Sequence, residues 1–160
     1  MEKLGRDVSM ERGLRALSFA LGVFLFSMGV SKVGWLSDPA PLVEALRKWL
    51  EGASVPSRWY VENVALPGAP VFARVVPLAE LSAGAALVCG IQVRLAAALA
   101  LAMILNFHFA ADVIFHLKYL TNGYGLPVLG GMLALAVGGT RLPLSLRWPG
   151  KPSTDARRVP

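Results

Sequence analysis

Four long apolar stretches dominate this chain and restrict its fold more than any other feature. They cover about residues 14–36, 71–93, 95–117 and 124–142. At about 1.5 Å of rise per helical residue, each is close to the length needed to cross a hydrocarbon core about 30 Å thick. The sequence therefore predicts an all-α membrane protein, a four-transmembrane-helix antiparallel bundle with a short amphipathic helix in its first outer loop.

Polar side chains recur at nearly the same height in all four predicted spans. Measured from the membrane face at the start of the first span, they lie about 20–25 Å along each helix. These residues are Lys32, Glu80, His108, Asp112 and Tyr124. Because polar and ionisable side chains are costly inside a bilayer, their shared height predicts one polar site in the outer third of the bundle.

Composition supports a membrane protein and argues against nucleic-acid binding. Hydrophobic residues make up 55% of the chain and charged residues 16%, with a mean hydropathy of +0.56, whereas soluble domains are typically about 25% charged. The formal charge of +6 comes mainly from the tails rather than from a basic patch with interleaved aromatic residues. The lipid bilayer is therefore the predicted partner of these charges, and no nucleic acid is predicted.

Lysine and arginine are distributed unevenly between the two predicted membrane faces. Ten of the 16 lie in or beside the two tails and at Arg94, and the other six belong to the opposite face. Under the positive-inside rule, both termini are predicted to be cytoplasmic. The chain is then a multi-pass protein of the plasma (cell inner) membrane. Its predicted tails are residues 1–13 and 143–160, the latter disordered from about Pro149.

The long outer loop, residues 37–70, contains five prolines and cannot form a further span. Its segment 41–51 has helical periodicity, with apolar side chains on one face and charged side chains on the other. Pro41 suits the first turn of this helix, and Gly52 suits its end. The predicted helix lies on the membrane surface or packs on the bundle as a cap, and the two arrangements are compatible.

Glu80 is the most informative ionisable residue, because a carboxylate in hydrocarbon must be paired or protonated. One interpretation is a buried ion pair with Lys32 or Arg74 that fixes helix packing. The other is a proton carrier or a hydrogen-bonding group for a ligand. The sequence leaves both interpretations open, together with the choice of partner.

Three titratable side chains follow one another on the third predicted span, at His108, Asp112 and His116. A spacing of four residues places them in a slowly drifting stripe on one helix face. The stripe predicts a proton relay or ligand contact, or a hydrogen-bonded pair on the helix surface. No metal site is predicted, since three ligands on one straight helix rarely converge. Asn106 and Tyr124 are predicted to form interhelical hydrogen bonds or to contact a ligand.

The sequence has no motif for a bound redox cofactor. Nucleotide-binding loops, Rossmann glycine patterns and nucleophile elbows are absent. The single cysteine, Cys89, rules out dithiol chemistry within the chain. Redox chemistry would therefore require a lipid-soluble quinone as co-substrate or a partner redox subunit.

Two motifs resemble the DoxX-like family of membrane proteins. Residues 26–33 (FSMGVSKV) are similar to the G-x-x-K end of the family's first helix. Residues 78–94 (LAELSAGAALVCGIQVR) are similar to its central E-x-x-x-G-x-x-L-x-x-G-x-x-x-R stretch. The WY pair at 59–60, the long first loop and LNF at 105–107 resemble the DoxD branch, the small subunit of thiosulfate:quinone oxidoreductase. The positions that match the family are Gly29, Lys32, Glu80, Gly84, Gly90 and Arg94.

The resemblance covers about residues 12–142 and implies a four-helix bundle in a prokaryotic cell membrane, linked to quinone or sulfur redox chemistry. The predicted function is therefore membrane subunit of a quinone-linked oxidoreductase. A quinone head group would exchange protons with Glu80, His108 and Asp112, while Lys32 and Arg74 stabilise developing negative charge. The alternative is a non-enzymatic membrane anchor, an assembly partner or a small-solute transporter. Whether the chain forms a homo-oligomer is left open.

Overall fold

The computed structural model describes residues 2–139 and 142–143, with side chains described from residue 9 onward. Within these ranges the chain is helical and contains no β-strand, which confirms the all-α prediction there. Shorter helical turns at Val33–Leu36, Val61–Ala65, Val113–Phe115 and Leu117–Thr121 join the α-helices. The α-helices are α1 (Glu2–Ser31), α2 (Ala40–Trp49), α3 (Val55–Tyr60), α4 (Ala69–Cys89), α5 (Val93–Ala110) and α6 (Leu126–Gly138).

Three of the described helices are long and apolar enough to cross a membrane. These candidate spans are Ser9–Ser31 within α1, the whole of α4 and the whole of α5. The fourth apolar helix, α6, has 13 residues and is about 20 Å long, which is shorter than a hydrocarbon core of about 30 Å. The protein is a membrane protein with several candidate spans, and the fourth span stays a prediction.

Helices α1 and α4 pack so closely that their backbones touch. A Cβ atom added at Gly84 would lie 2.6 Å from the backbone nitrogen of Phe26, and one added at Gly22 would lie 2.7 Å from that of Val88. As α1 advances from Gly22 to Phe26, its neighbour on α4 falls from Val88 to Gly84, so the two helices run in opposite directions. Small residues allow this close approach, which membrane helices use to gain packing contacts.

The four longer apolar helices form a ring in which each packs against two others. Helix α1 contacts α4 and α6, and α5 contacts the same two helices from the other side. Arg94 at the start of α5 donates a hydrogen bond from Nε to the carbonyl oxygen of Ala136 near the end of α6, 3.0 Å away. The centre of the ring is filled by apolar side chains that include Leu25, Leu87, Ala97, Met132 and Leu135.

The last carbonyl groups of α4 are bonded by side chains of α1. The two terminal nitrogens of Arg15 donate to the carbonyl oxygens of Leu87 and Val88, at 3.1 and 2.6 Å. The buried Ser18 hydroxyl also donates to Leu87, at 2.8 Å. These bonds satisfy acceptors that have no partner within their own helix and place a positive charge at the negative end of its dipole.

Helix α2 confirms the amphipathic helix predicted in the long loop. Leu42 and Leu46 are buried, whereas the charged side chains of the opposite face are exposed. The buried face packs against a cluster that includes Val61 and Ala110, so α2 caps one end of the ring. We call α2 and α3 together the cap. Gly52 follows the helix with φ +81°, the left-handed conformation that favours glycine at a helix end. Contact of α2 with a membrane surface stays a prediction.

The third predicted span, 95–117, is wrong at its C-terminal end, because α5 stops at Ala110. Asp112 has φ +60°, a left-handed conformation that a helix cannot continue through. The chain then turns through two short helical segments before α6. His108, Asp112 and His116 therefore do not share one helix face, and the predicted stripe is wrong. Only the Asp112–His116 contact survives, with Nε2 of His116 3.3 Å from Oδ2 of Asp112.

Other predicted boundaries differ by smaller amounts. Residues 2–13, predicted as a tail, belong to α1, and α6 begins at Leu126 rather than at residue 124. Pro127 follows directly, where the first turn of a helix tolerates proline. The predicted C-terminal tail lies outside the described residues except for Pro143. The same holds for the disorder predicted from Pro149.

Candidate functional site

A cavity of about 320 Å³ lies inside the ring, next to the end that α2 caps. All four ring helices and α2 contribute to its walls. The lining is mainly apolar and aromatic, with three ionisable side chains at Lys32, Glu80 and His108. We call it the central cavity. Ligand sites are typically concave and apolar with a few placed polar groups, and the central cavity has this composition.

Lys32 and Glu80 form an ion pair at the wall of the central cavity. Nζ of Lys32 lies 2.8 Å from both carboxylate oxygens of Glu80. The side chains are only 13% and 7% exposed. The ammonium also donates to the carbonyl oxygen of Met28 at 3.3 Å and lies 5.8 Å from the ring centre of Trp35. Lys32 follows the last turn of α1 and Glu80 lies within α4, so the pair joins two helices.

The structure also decides which cation pairs with Glu80. Arg74 is exposed, and its Nη1 donates to the carbonyl oxygen of Pro70 at 2.6 Å, one helical turn back. Arg74 therefore does not line the central cavity. Its predicted role in stabilising negative charge has no support from this position and stays a prediction.

His108 enters the central cavity from α5 and is held from behind by Tyr119. Nδ1 of His108 lies 2.8 Å from the hydroxyl oxygen of Tyr119, and the ring centres are 5.2 Å apart in an edge-to-face arrangement. Burial raises the pKa of the Tyr119 phenol, so the phenol keeps its proton. When the phenol donates this bond, a neutral imidazole carries its own proton on Nε2.

Sequence reasoning missed Tyr119 because that part of the chain was predicted to be a connecting loop. The available signal was a tyrosine in an apolar stretch, since a buried tyrosine hydroxyl requires a hydrogen-bond partner. His108 is the partner here.

Aromatic side chains form much of the cavity wall. Tyr124 stacks on Phe24, with ring centres 5.8 Å apart and planes 20° apart. Trp49 of α2 meets Phe107 of α5 edge to face at 6.2 Å. With Trp35, these rings line the same cavity as the Lys32–Glu80 pair. Only Tyr124 was predicted as a site residue, because single aromatic residues in apolar helices give no signal in the sequence.

Asp112 lies outside the central cavity and holds the cap to α5. Its Oδ2 accepts a hydrogen bond from the backbone nitrogen of Ser54 at 3.1 Å, and its Oδ1 accepts a short one from the Ser54 hydroxyl. The Ser57 hydroxyl donates to the carbonyl oxygen of Phe109 at 2.7 Å. Together with His116, these contacts form what we call the Asp112 clamp. They join the start of α3 to the end of α5.

Burial of the Asp112 carboxyl group would raise its pKa, but the surrounding hydrogen bonds outweigh this effect. The hydroxyl and the backbone amide of Ser54 donate to the carboxylate, and His116 contacts it. With the nearby Ser57 hydroxyl, they give Asp112 a lowered pKa. The carboxylate therefore stays ionised and bonded at neutral pH. This is a structural use of Asp112, and its predicted proton-exchanging role stays a prediction.

The Asp112 clamp predicts an acid-sensitive cap. Because the folded-state pKa is lowered, these bonds stabilise the protein fully above the unfolded carboxyl pKa of about 3.9 and are lost as the pH falls through the folded value. Asp112→Asn should lower the free energy of local opening of α3 by about 1–3 kcal/mol at neutral pH. Amide hydrogen exchange in α3 measures this. Unchanged exchange, matching an Asp38→Asn control at an exposed loop carboxylate, would contradict it.

Asn106 also lies away from the central cavity. Its Nδ2 donates to the hydroxyl of Tyr60 at 2.6 Å, which is an interhelical hydrogen bond between α5 and α3, as predicted. The structure thus brings four predicted residues to the central cavity and places Asn106, Arg74 and Asp112 elsewhere. The four are Lys32, Glu80, His108 and Tyr124. Among the described residues, no three His, Cys, Asp or Glu side chains converge as metal ligands.

The apolar helices and the partly charged central cavity define a helical membrane protein with an internal polar site. The family model described as DoxX matches residues 13–116, which is more than half of the chain. The protein belongs to the DoxX family, as the motifs around Lys32 and Glu80 predicted. Membership of the DoxD branch stays a prediction. No curated protein and no solved structure gave a match.

Proposed function

We propose that this protein is a membrane subunit of a quinone-linked oxidoreductase and that the central cavity binds the quinone head group. The observation that carries the proposal is the placement of Lys32, Glu80 and His108 in a cavity that is otherwise apolar and aromatic. A planar ring with two carbonyl oxygens matches this lining, because the aromatic walls can stack on its faces and a few polar side chains can donate hydrogen bonds to its oxygens.

The three ionisable side chains have distinct roles in this proposal. The Lys32 ammonium donates to one carbonyl oxygen and stabilises negative charge as it develops there. His108 takes up a proton as the quinone gains electrons, and this imidazolium, oriented by Tyr119, donates from Nε2 to the other carbonyl oxygen and passes it that proton. Glu80, ionised in its resting pair with Lys32, takes up the second proton when Lys32 turns toward the quinone, and passes it on. Reduction of the quinone then consumes two electrons from a partner redox subunit that oxidises a sulfur compound, and two protons through these residues.

The remaining predictions fit this proposal as follows. The chain is a four-span bundle of the cell membrane with both termini in the cytoplasm. The central cavity then opens near the outer leaflet, from which the quinone enters. The small subunit of thiosulfate:quinone oxidoreductase, the DoxD branch, is the expected type of protein. A homo-oligomer is compatible with the exposed apolar faces of α4 and α5.

The proposal predicts that Glu80→Gln lowers quinone-dependent turnover about 100-fold. Glutamine keeps the shape of the side chain and removes its capacity to carry a proton. Turnover is measured in membranes that hold the full chain and its partner subunits, with a reduced sulfur compound as electron donor. Asp38→Asn, outside the central cavity, is the matched control. Turnover of Glu80→Gln equal to that of the control, in a folded protein, would reject the role.

A second function has its own supporting observation. The Lys32 ammonium directs hydrogen bonds to both oxygens of Glu80 and to the backbone of Met28, so the pair is already satisfied without a ligand. This geometry favours a membrane anchor or assembly partner in which the pair fixes helix packing. Purification in mild detergent, followed by mass spectrometry of bound quinones and proteins, distinguishes this function from the quinone-linked one. A sample with partner proteins and no quinone favours the anchor. A third function, small-solute transport, would be favoured by ion flux in liposomes.

A further inference from the structure

A second apolar depression runs along the outside of the ring between α4 and α5. It has a volume of about 480 Å³ and is lined by side chains of both helices. Its floor is made by small residues such as Ala79, Ala83 and Ala100, while Val75 and Leu99 stand at its rim, 53% and 61% exposed. We call it the α4–α5 groove. Because the small residues leave space between the helices, the groove is a permanent feature of the packing.

The α4–α5 groove and the central cavity share two wall residues. Met103 and Phe107, one turn apart on α5, line both of them. A side chain that faces two cavities is the partition between them. Methionine is flexible and fills irregular space, and phenylalanine swings about two side-chain bonds. Rotation of these two side chains is therefore the smallest movement that would join the two cavities.

The dimensions of the groove indicate what fits in it. The lining extends along α5 from Gln92 to Phe107, a distance of about 22 Å at the rise of an α-helix. The groove is therefore long enough for an extended hydrocarbon chain, and its lining contains no charged side chain. Because it shares Met103 and Phe107 with the central cavity, a tail attached to a ring in that cavity is the occupant that this geometry favours over a helix from a second copy.

We propose that the central cavity and the α4–α5 groove together form one binding site for an amphiphile. Its polar ring lies in the central cavity, its apolar tail passes between Met103 and Phe107, and the tail lies along α4 and α5. This inference rests on the proposed function and adds that the ligand carries a long tail that is bound by protein. The tail contributes affinity through the apolar surface that it buries in the groove.

The test compares two probes, a benzoquinone ring without a tail and the same ring with a ten-carbon alkyl tail. The full-length protein is held in phosphatidylcholine nanodiscs, and binding is followed by quenching of tryptophan fluorescence, since Trp35 and Trp49 line the central cavity. Ala79→Leu and Ser82→Leu each fill the groove from α4. The control, Ala102→Leu, adds the same bulk at an exposed position of α5 outside the groove.

Groove-filling variants should bind the tailed probe about tenfold more weakly than wild type and the tailless probe equally well. The control should match wild type with both probes. Because every protein is compared in the same lipid, partitioning of the tail into the bilayer cancels. Two separate groove variants keep the test available if one of them does not fold.

Three results would overturn the inference. In the first, the groove variants lose affinity for both probes equally, or lose affinity for neither. In the second, the variants change the phospholipid that co-purifies without changing affinity for the tailed probe, so the groove holds a lipid acyl chain. In the third, they change only the oligomeric state, so the groove is an interface between copies. Failure of the proposed function differs from all three, because then neither probe quenches wild-type fluorescence.

Discussion

Lys32→Met should lower the free energy of unfolding by about 3–5 kcal/mol, the usual effect of removing one partner of a buried ion pair. The Glu80 carboxylate would remain only 7% exposed without the ammonium that now bonds both of its oxygens. Protonation of Glu80 would limit the loss. Unfolding of the purified protein in mixed detergent micelles with increasing sodium dodecyl sulfate measures the change.

The double variant Lys32→Met/Glu80→Leu separates stability from function. Replacing both charges with apolar side chains of similar size is often neutral or stabilising, so the double variant should recover most of the lost stability. It should still fail to bind a quinone, because the Lys32 donor and the Glu80 carboxyl group are missing. Full stability in the single variant Lys32→Met would show that the ion pair does not hold α1 to α4.

Gly84→Leu should reduce the free energy of unfolding by about 3 kcal/mol or more, through overpacking between α1 and α4. Even a Cβ atom at this position would lie 2.6 and 2.8 Å from the backbone nitrogen and Cα of Phe26, so no side-chain rotation can relieve the clash. The helices must separate, which also pulls Lys32 away from Glu80. The midpoint of detergent unfolding and quinone binding should therefore fall together.

Gly130→Ala is the matched control for this prediction. Nothing lies within 4 Å of a Cβ atom added at Gly130 on α6, and alanine favours a helix over glycine by about 0.5–1 kcal/mol. This variant should be as stable as wild type or slightly more stable. A Gly84→Leu protein with the stability of Gly130→Ala would contradict the close approach of α1 and α4.

The sequence predicted correctly those structural features that depend on a single helix. Hydropathy located the apolar helices, and periodicity located α2 and its buried face at Leu42 and Leu46. Local motifs placed Lys32 at the end of the first helix and Glu80 in the middle of the second long helix, α4. For these features, the physical cause lies within one segment of about 20 residues, so it can be read from that segment alone.

Features that depend on two distant segments could not be predicted in the same way. The apolar run continues past Ala110 through residues 113–115, so hydropathy extends α5 too far. The helix instead ends at Ala110, and Asp112, two residues later, bonds to Ser54, which is 58 positions earlier in the chain. The choice of Lys32 over Arg74, and the pairing of His108 with Tyr119, likewise depend on how the helices are rotated against each other.

The hydrogen bonds from Arg15 and Ser18 to the end of α4 have a consequence for motion. They lie at the C-terminal end of α4, and the Lys32–Glu80 pair lies two turns earlier on that helix, about 11 Å away at the rise of an α-helix. Two polar contacts at different heights, together with the close backbone approach at Gly22 and Gly84 between them, resist sliding and rotation of α1 against α4. Any motion that admits a molecule to the interior of the protein must therefore come from α5, α6 and the cap. Helices α1 and α4 stay fixed relative to each other during that motion.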